Sequence, residues 1–167
     1  NNLTTFFGNP PISTNADSAN SVVAVDVDGD GDTDVLSTSF NDDKVAWYEN
    51  DGNQNFTEIV VSTAVDGPVD GFAVDLDGDN DIDFLSASNN DNKIAWYEND
   101  GSQNFTGHEL ELPHNSRTLW GKVYGADLDG DGDNDVISST TRNNGTDMIK
   151  LLSWHEIHTS RNWLPAA

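Results

Sequence analysis

The chain has no cysteine, so disulfide bonds contribute nothing to the stability of its 167 residues. Basic residues are also few: seven lysines and arginines stand against 30 aspartates and glutamates, for a formal net charge of −23. Without a basic patch to displace counterions, nucleic acids and anionic membranes are poor partners. No apolar run approaches the roughly 20 residues of a membrane span. No signal peptide is recognisable, and we expect that any leader has been removed.

Helical periodicity and catalytic motifs are equally scarce. No segment sustains a 3.6-residue apolar period, so helix should be nearly absent. No nucleophile elbow, phosphate-binding loop or dinucleotide-binding glycine pattern occurs. A glycosidase needs two carboxylates flanking a sugar, but the clustered acids of this chain are better explained as metal ligands. We therefore predict that the protein is not an enzyme.

Aspartate is abundant in the chain. Three motifs, at residues 26–34, 75–83 and 127–135, each place five aspartates on alternate positions, and together they hold 15 of the 30 acidic residues. Carboxylates this crowded repel one another unless a hard cation lies among them. Oxygen ligands on alternate positions, turned by glycine, are typical of calcium sites. We predict about three Ca²⁺ ions, one per motif, with calcium binding coupled to folding.

The motifs differ from the EF-hand, which has glutamate at loop position 12. That position holds Ser37, Ser86 and Ser138, and the flanking residues are β-branched and apolar. The pattern therefore indicates a strand–loop–strand site. A plain hydrophilic turn is the alternative, and it is disfavoured because glycine or asparagine recurs at loop positions 4 and 6 in all three copies.

The motifs mark a structural repeat, spaced by 49 and then 52 residues. Each is followed by an aromatic strand: Lys44 to Asn50, Lys93 to Asn99, and a degenerate copy from Lys150. Another aromatic follows each strand's tryptophan by nine residues. Four short strands per unit of about 50 residues suggest propeller blades. The units are about 6–50, 56–99 and 105–154, with a C-terminal strand at 159–167 that starts a fourth unit or completes a neighbouring chain.

The fold class is thus all-β, with three four-stranded antiparallel propeller-like blades in a single repeat domain. With the aspartate loop and the following Trp-Tyr-Glu-Asn strand, the units resemble FG-GAP/VCBS-type repeats, the family that includes the calcium-binding blades of integrin α-subunits and several propeller lectins. The resemblance covers roughly residues 6–163. It is specific for fold and metal and less so for function, because such repeats serve adhesion, sugar binding and enzyme accessory roles.

The resemblance implies the ligand set. Side chains at loop positions 1, 3, 5 and 9 bind calcium in the family, and position 7 contributes its backbone carbonyl. The implied ligands are Asp26, Asp28, Asp30, Asp32 and Asp34 in loop 1; Asp75, Asp77, Asp79, Asp81 and Asp83 in loop 2; and Asp127, Asp129, Asp131, Asp133 and Asp135 in loop 3.

Aromatic residues give a second set of candidates. Trp47 and Trp96 recur at one repeat position, where packing between units is the favoured interpretation and a sugar-stacking platform is the alternative. Burial of these tryptophans would indicate packing, and exposure in a polar pocket would indicate ligand binding. Trp120 and Tyr124 lie where the repeat is least regular, and they are candidates for a local ligand site.

Four asparagines fit the N-glycosylation pattern Asn-x-Ser/Thr: Asn2, Asn55, Asn104 and Asn144. Such matches arise often by chance in a chain rich in asparagine and threonine. Two of them occupy equivalent repeat positions.

Three blades are too few to close a ring, since closed propellers have about four to eight. The open ends predict self-association, either as a six-bladed ring of two chains or as a filament; the chain is alternatively a fragment of a longer propeller. Millimolar calcium outside cells would fill even weak loops, which favours a secreted or cell-surface location. We expect a non-catalytic adhesion or self-assembly module that contacts itself, a glycan or a surface protein. A lectin-like propeller and an accessory domain of a secreted hydrolase are the alternatives.

Overall fold

The computed structural model describes residues 8–110, 118–143 and 148–155, with side chains described over 8–110 and 121–139. The described residues form eleven β-strands and no helix, as the sequence predicts. The strands are β1 (Ala19–Val25), β2 (Asp34–Ser39), β3 (Lys44–Asn50), β4 (Phe56–Ser62), β5 (Pro68–Val74), β6 (Asp83–Ser88), β7 (Lys93–Asn99), β8 (Phe105–Leu110), β9 (Thr118–Ala126), β10 (Asp135–Asn143) and β11 (Met148–His155).

The strands form three antiparallel sheets in which each strand pairs with the next along the chain. Sheet 1 contains β1 to β4, sheet 2 contains β5 to β8, and sheet 3 contains β9 to β11. Strand β5 lies beside both β1 and β9, so the first strands of the sheets are neighbours, as in propeller blades. None of these sheets pairs with another to close a ring within the described residues. The predicted strand at 159–167 lies outside them.

Strand β4 belongs to a different sheet from the one expected. The sequence units assign it to the second unit, 56–99, but it pairs with β3 in sheet 1. The physical reason is the turn between them, where the Asp51 amide donates to the Asn55 carbonyl (3.1 Å). The Asp51 carboxylate also accepts the backbone amides of Asn53 and Asn55. This compact hairpin folds β4 back onto β3, so the sheets are displaced from the sequence units by one strand.

Two apolar cores hold the sheets together, one at each junction. The core between sheets 1 and 2 contains Val27, Leu36, Val45, Trp47, Val65, Phe84, Ala95 and Tyr97. The core between sheets 2 and 3 contains Leu76, Leu85, Ala87, Ile94, Trp96, Leu110, Val123 and Val136. Because strand side chains alternate between faces, sheet 2 contributes to both cores and is buried on both sides.

Close approach of the sheets depends on glycine at one position of β5. A Cβ atom on Gly71 would lie 2.5 Å from the Phe84 ring and 3.1 Å from Thr38. A methyl group there would therefore displace the Phe84 ring of the same sheet from the core and crowd Thr38 of sheet 1.

The outer face of sheet 1 is not bare. Tyr48 is buried, and it lines a pocket together with residues 11–15 and with Phe56 and Glu58 of β4. The Lys44 ammonium holds residues 11–15 against the sheet, because it donates both to the Asn15 carbonyl (2.9 Å) and to the Glu58 carboxylate on β4 (2.6 Å).

Candidate metal centres

Each aspartate motif joins the first and second strands of its sheet. Loop 1 connects β1 to β2, loop 2 connects β5 to β6, and loop 3 connects β9 to β10. The first strands of the sheets are neighbours, and atoms of loop 3 contact loop 2 directly. The three loops therefore lie on the same side of the stack.

Three carboxylates converge in each loop, from positions 1, 3 and 9. In each group, one oxygen per residue lies within 4.8 Å of the others. Two negative charges at about 5 Å repel by roughly 1 kcal/mol in water and roughly 3 kcal/mol at the effective dielectric of a protein surface. The groups are Asp26, Asp28 and Asp34; Asp75, Asp77 and Asp83; and Asp127, Asp129 and Asp135.

The backbone of each loop wraps around the position-1 carboxylate. In loop 1 the amides of Gly29 and Gly31 donate to the two oxygens of Asp26, at 2.9 and 3.0 Å. Loops 2 and 3 repeat this arrangement. Residues at loop positions 4 and 6 have positive φ in every copy, including Asn80 at 76°. The predicted glycine and asparagine turns are confirmed.

The position-9 carboxylate is the buried anchor of each loop. Asp83 is fully buried and accepts the backbone amides of Leu76 (2.9 Å) and Asn99 (2.8 Å). Asp34 is held in the same way by Val27 and Asn50. Asp34 and Asp83 therefore each tie the start of a loop to the end of the third strand of its sheet, and Asp135 accepts the amide of Leu128 at the start of loop 3 (3.0 Å).

Asn50 and Asn99 are site-supporting residues that the sequence analysis did not assign. The Asn99 side-chain amide donates to the Ile82 carbonyl (3.2 Å), and the Asn50 amide donates to the Thr33 carbonyl (3.0 Å). The available signal was their constant place at the end of Trp-Tyr-Glu-Asn. The third copy reads Trp-His-Glu-Ile and has Ile157 at that place.

Burial makes the charged form of two carboxyl groups in loop 2 unfavourable. Desolvation, with repulsion from Asp79 and Glu98, raises the pKa of Asp77 to about 6. Desolvation raises the pKa of Asp83 to about 7, although two backbone amides oppose it. Burial also raises the pKa of Asp28 in loop 1, with a smaller contribution from repulsion by neighbouring aspartates.

The chemistry of one oxygen in loop 2 fits a cation ligand. Asp77 Oδ1 is buried and has no hydrogen-bond partner among the described residues. A buried carboxylate oxygen without a partner is costly, and a cation among the three carboxylates would offset that cost. The donor set contains only oxygen, which suits a hard cation such as Ca²⁺.

Loop positions 5 and 7 are arranged differently. Asp30, Asp79 and Asp131 lie outside the three-carboxylate groups, and each accepts the amide of the residue two places on. The Asp32 and Asp81 carboxylates pack against the hairpin glycines Gly52 and Gly101, where a Cβ atom would clash. A side chain turned to the hairpin is compatible with the carbonyl role that the family pattern implies for position 7.

Trp47 and Trp96 are buried in the two cores. The Trp47 ring meets Phe105 edge-on at 6.4 Å, and Trp96 stacks on His108 at 4.6 Å. Neither ring offers an open face to a sugar, so the stacking-platform alternative is wrong for these two and the packing interpretation holds.

Tyr124 differs from the two tryptophans. Its side chain is 53% exposed, and its ring lies 4.2 Å from Phe72. Both line an open groove of about 440 Å³ between β5 and β9, next to the Lys122–Asp70 ion pair (2.7 Å). Trp120 lies on β9, and its side chain is outside the described part of the chain.

Two of the four sequon asparagines are described. Asn55 and Asn104 are exposed in equivalent hairpin turns, and their side-chain amides donate to Asp51 and Asp100. Asn2 and Asn144 lie outside the described residues.

Comparison with protein families identifies the repeat. A model described as an FG-GAP-like repeat matches residues 26–86 and again residues 75–138, which together span all three loops. No curated protein and no solved structure matches the chain. Among the described residues, no helix is long and apolar enough to cross a membrane.

Proposed function

Because the chain belongs to the FG-GAP-like repeat family, we propose that it is an extracellular, calcium-binding repeat protein that acts by association and not by catalysis. The family is typically non-catalytic and commonly extracellular. The observation that carries the proposal is the same convergence of three carboxylates in all three loops. One Ca²⁺ per loop would neutralise repulsion that otherwise opposes folding.

Thermal unfolding in calcium, in magnesium and in chelator tests this proposal. Calcium should raise the melting temperature, and magnesium should raise it less, because calcium tolerates the larger, irregular oxygen shell of such loops. Asp77→Ala should reduce the calcium effect. Glu109→Gln is the charge-matched control, since Glu109 is exposed, lies outside the loops and pairs with Lys93. Identical melting of the unmodified protein in calcium and chelator would refute calcium binding.

Association through the chain ends is supported by one comparison between loops. Val27 and Leu76, at loop position 2, are buried in the core shared with the following sheet, whereas Leu128 at the same position is 49% exposed. A following blade from a second copy would cover Leu128 as sheets 2 and 3 cover its counterparts. Association of this kind is head-to-tail and ends as a closed ring or a filament.

Sedimentation in calcium over a range of concentrations tests association. A discrete dimer supports a six-bladed ring, and concentration-dependent larger species support a filament. Leu128→Ser should weaken either assembly, whereas Glu109→Gln, which changes an exposed residue on the edge strand of the middle sheet, should not. A monomer at all concentrations would rule out self-association and favour a fragment of a longer propeller or a domain of a secreted hydrolase.

Sugar binding is a second candidate, and the groove at Phe72 and Tyr124 is the observation that favours it. The half-exposed Tyr124 ring would stack on the apolar face of a pyranose, while Lys122 and Ser139 line the groove with polar groups. A glycan array compared with the Tyr124→Ala variant tests this candidate. Binding that persists in the variant would exclude this groove.

A further inference from the structure

Loop 3 contacts loop 2 through two of its side chains. The Asn134 side-chain amide in loop 3 donates to the backbone carbonyl of Asp75 in loop 2, at 2.8 Å. Beside this bond, the Asp133 carboxylate lies against Gly78, where a Cβ atom would come within 3.1 Å of Asp133 Oδ1. Loops 2 and 3 are therefore in direct contact across the junction between their sheets.

Asn134 holds a particular place within loop 3. It lies between Asp133, the position whose carbonyl binds the ion in the family pattern, and Asp135, the buried anchor. An ion in loop 3 would fix the backbone on both sides of Asn134 and so hold its side chain in place. The group that accepts its hydrogen bond belongs to Asp75, the first residue of loop 2, whose carboxylate is one of the three that converge there.

The other junction has a weaker link. Gln103, from the hairpin between β7 and β8, reaches Asp28 of loop 1 at 3.4 Å and is exposed. The residues equivalent to Asn134 are Thr33 and Ile82, and no side-chain amide exists at either. Within the described part of the chain, the loop-to-loop amide bond is particular to loops 2 and 3.

We propose that Asn134 couples the two loops, so that calcium in loop 3 raises the calcium affinity of loop 2. This inference rests on the proposed calcium binding. An ion in loop 3 orders Asn134, the ordered amide holds the Asp75 carbonyl, and loop 2 then loses less conformational freedom when it binds its own ion. By linkage, calcium in loop 2 raises the affinity of loop 3 by the same factor.

Electrostatic repulsion between the two bound ions opposes this coupling. An ion in loop 3 lowers the negative potential at loop 2, which weakens binding there. This electrostatic part shrinks with salt, because the screening length falls from about 8 Å at 0.15 M to about 3 Å at 1 M. The hydrogen-bonded part is far less sensitive to salt, so coupling through Asn134 should be clearest at high ionic strength.

Calcium titration followed by NMR separates the loops. The backbone amide signals of Gly31, Gly78 and Gly132 each report on one loop, and titrations run in both 0.15 M and 1 M potassium chloride. Asp129→Ala is used to abolish calcium binding in loop 3, because it removes one of the three converging carboxylates, and this one is exposed. Asn134→Ile removes the coupling amide by introducing the residue that loop 2 has at this position, and Asn134→Thr does the same with the residue of loop 1. Thr33→Ile is the matched control.

We expect Asp129→Ala to lower the affinity of loop 2 by about three- to tenfold, the effect of losing one hydrogen bond. Asn134→Ile and Asn134→Thr should cause a similar loss, and Asp129→Ala should add nothing in either background. Thr33→Ile should leave loop 2 unchanged.

Two results overturn the coupling while leaving calcium binding intact. The first is a loop 2 affinity that does not respond to Asp129→Ala at 1 M salt. The second is an Asn134 variant in which loop 3 alone is weakened. If no glycine signal responds to calcium in the unmodified protein, the proposed function itself fails, and the coupling fails with it.

Discussion

Loops 2 and 3 carry the same five aspartates but have different surroundings. In loop 2, Asp75 and Asp77 are half-buried, because Val123 of sheet 3 and Asn134 of loop 3 cover the loop. In loop 3, Asp127 and Asp129 are exposed, as is Leu128. Ligand spacing is therefore a property of the loop, whereas the burial of the ligands depends on the blade that follows it.

The difference has a thermodynamic consequence. Burial strengthens the attraction between carboxylates and a cation, but it also makes the empty, charged site more costly. The raised pKa values of Asp77 and Asp83 express that cost. We therefore expect loop 2 to bind calcium more tightly than loop 3 and to contribute more to calcium-dependent stability.

The largest expected effect comes from removing the buried anchors. In calcium, Asp83→Ala removes a proposed ligand and leaves the amides of Leu76 and Asn99 without an acceptor. Each unpaired buried donor costs about 1–3 kcal/mol, so we expect the two to lower the free energy of unfolding by about 2–6 kcal/mol, in addition to the lost calcium binding. Asp135→Ala in the less covered loop 3 should cost less. Denaturant unfolding measures both, and equal losses would contradict the difference between the loops.

pH should act in opposite directions with and without calcium. The folded-state pKa values of Asp77 and Asp83 are about 6 and about 7, above the roughly 4 of an unfolded aspartate. The native state therefore binds protons more tightly, and in chelator its stability should rise as pH falls from about 7.5 to about 5. In calcium, the stabilisation that the bound ion provides should decrease as pH falls over the same range, because protons compete with the ion for the carboxylates. Melting curves at several pH values test both trends, and Asp83→Asn should weaken the rise seen in chelator.

Removing the strand-end amide should have a moderate effect. Asn99→Ala deletes the bond to the Ile82 carbonyl, and we expect a loss of about 1 kcal/mol in stability. Asn50→Ala should cost a similar amount, because Asn50 makes the same contact in loop 1. Chemical unfolding in calcium measures the change. If both variants unfold like the unmodified protein, the amides are incidental to loop geometry.

A pair of glycine substitutions gives the smallest and most specific difference. Gly78 and Gly130 occupy the same loop position with positive φ, so alanine should destabilise each by about 1–2 kcal/mol. A Cβ atom at Gly78 also meets Asp133, whereas one at Gly130 meets nothing within 4 Å. Gly78→Ala should therefore cost a few tenths of a kcal/mol more, near the resolution of careful melting experiments. A larger loss at Gly130 would contradict the described contact between loops 2 and 3.

The local features of the fold could be predicted because they depend on local sequence. Alternating aspartates with glycine or asparagine at positions 4 and 6 determine the loop conformation by sterics, and the structure repeats it three times. The positions of β2, β6 and β7 followed from short apolar runs bounded by turn residues.

The features that were missed depend on contacts between distant residues. The sheet that β4 joins depends on hydrogen bonds across the Asp51 hairpin, and repeat spacing alone does not distinguish the two neighbouring sheets. Packing was the favoured interpretation of Trp96, but the aromatic pattern alone did not exclude an exposed ring, and the core with sheet 3 decides between them. The Asn134 bond could not be predicted because its partner, Asp75, lies 59 residues away.

Counting bound ions by equilibrium dialysis tests the central claim most directly. The protein should take up about three Ca²⁺ per chain at millimolar free calcium, within the affinity range of extracellular sites. Asp77→Ala should reduce the number by one, while Glu109→Gln should leave it unchanged. Uptake that is no greater than expected for a diffuse acidic surface, and equal in all three proteins, would contradict the account.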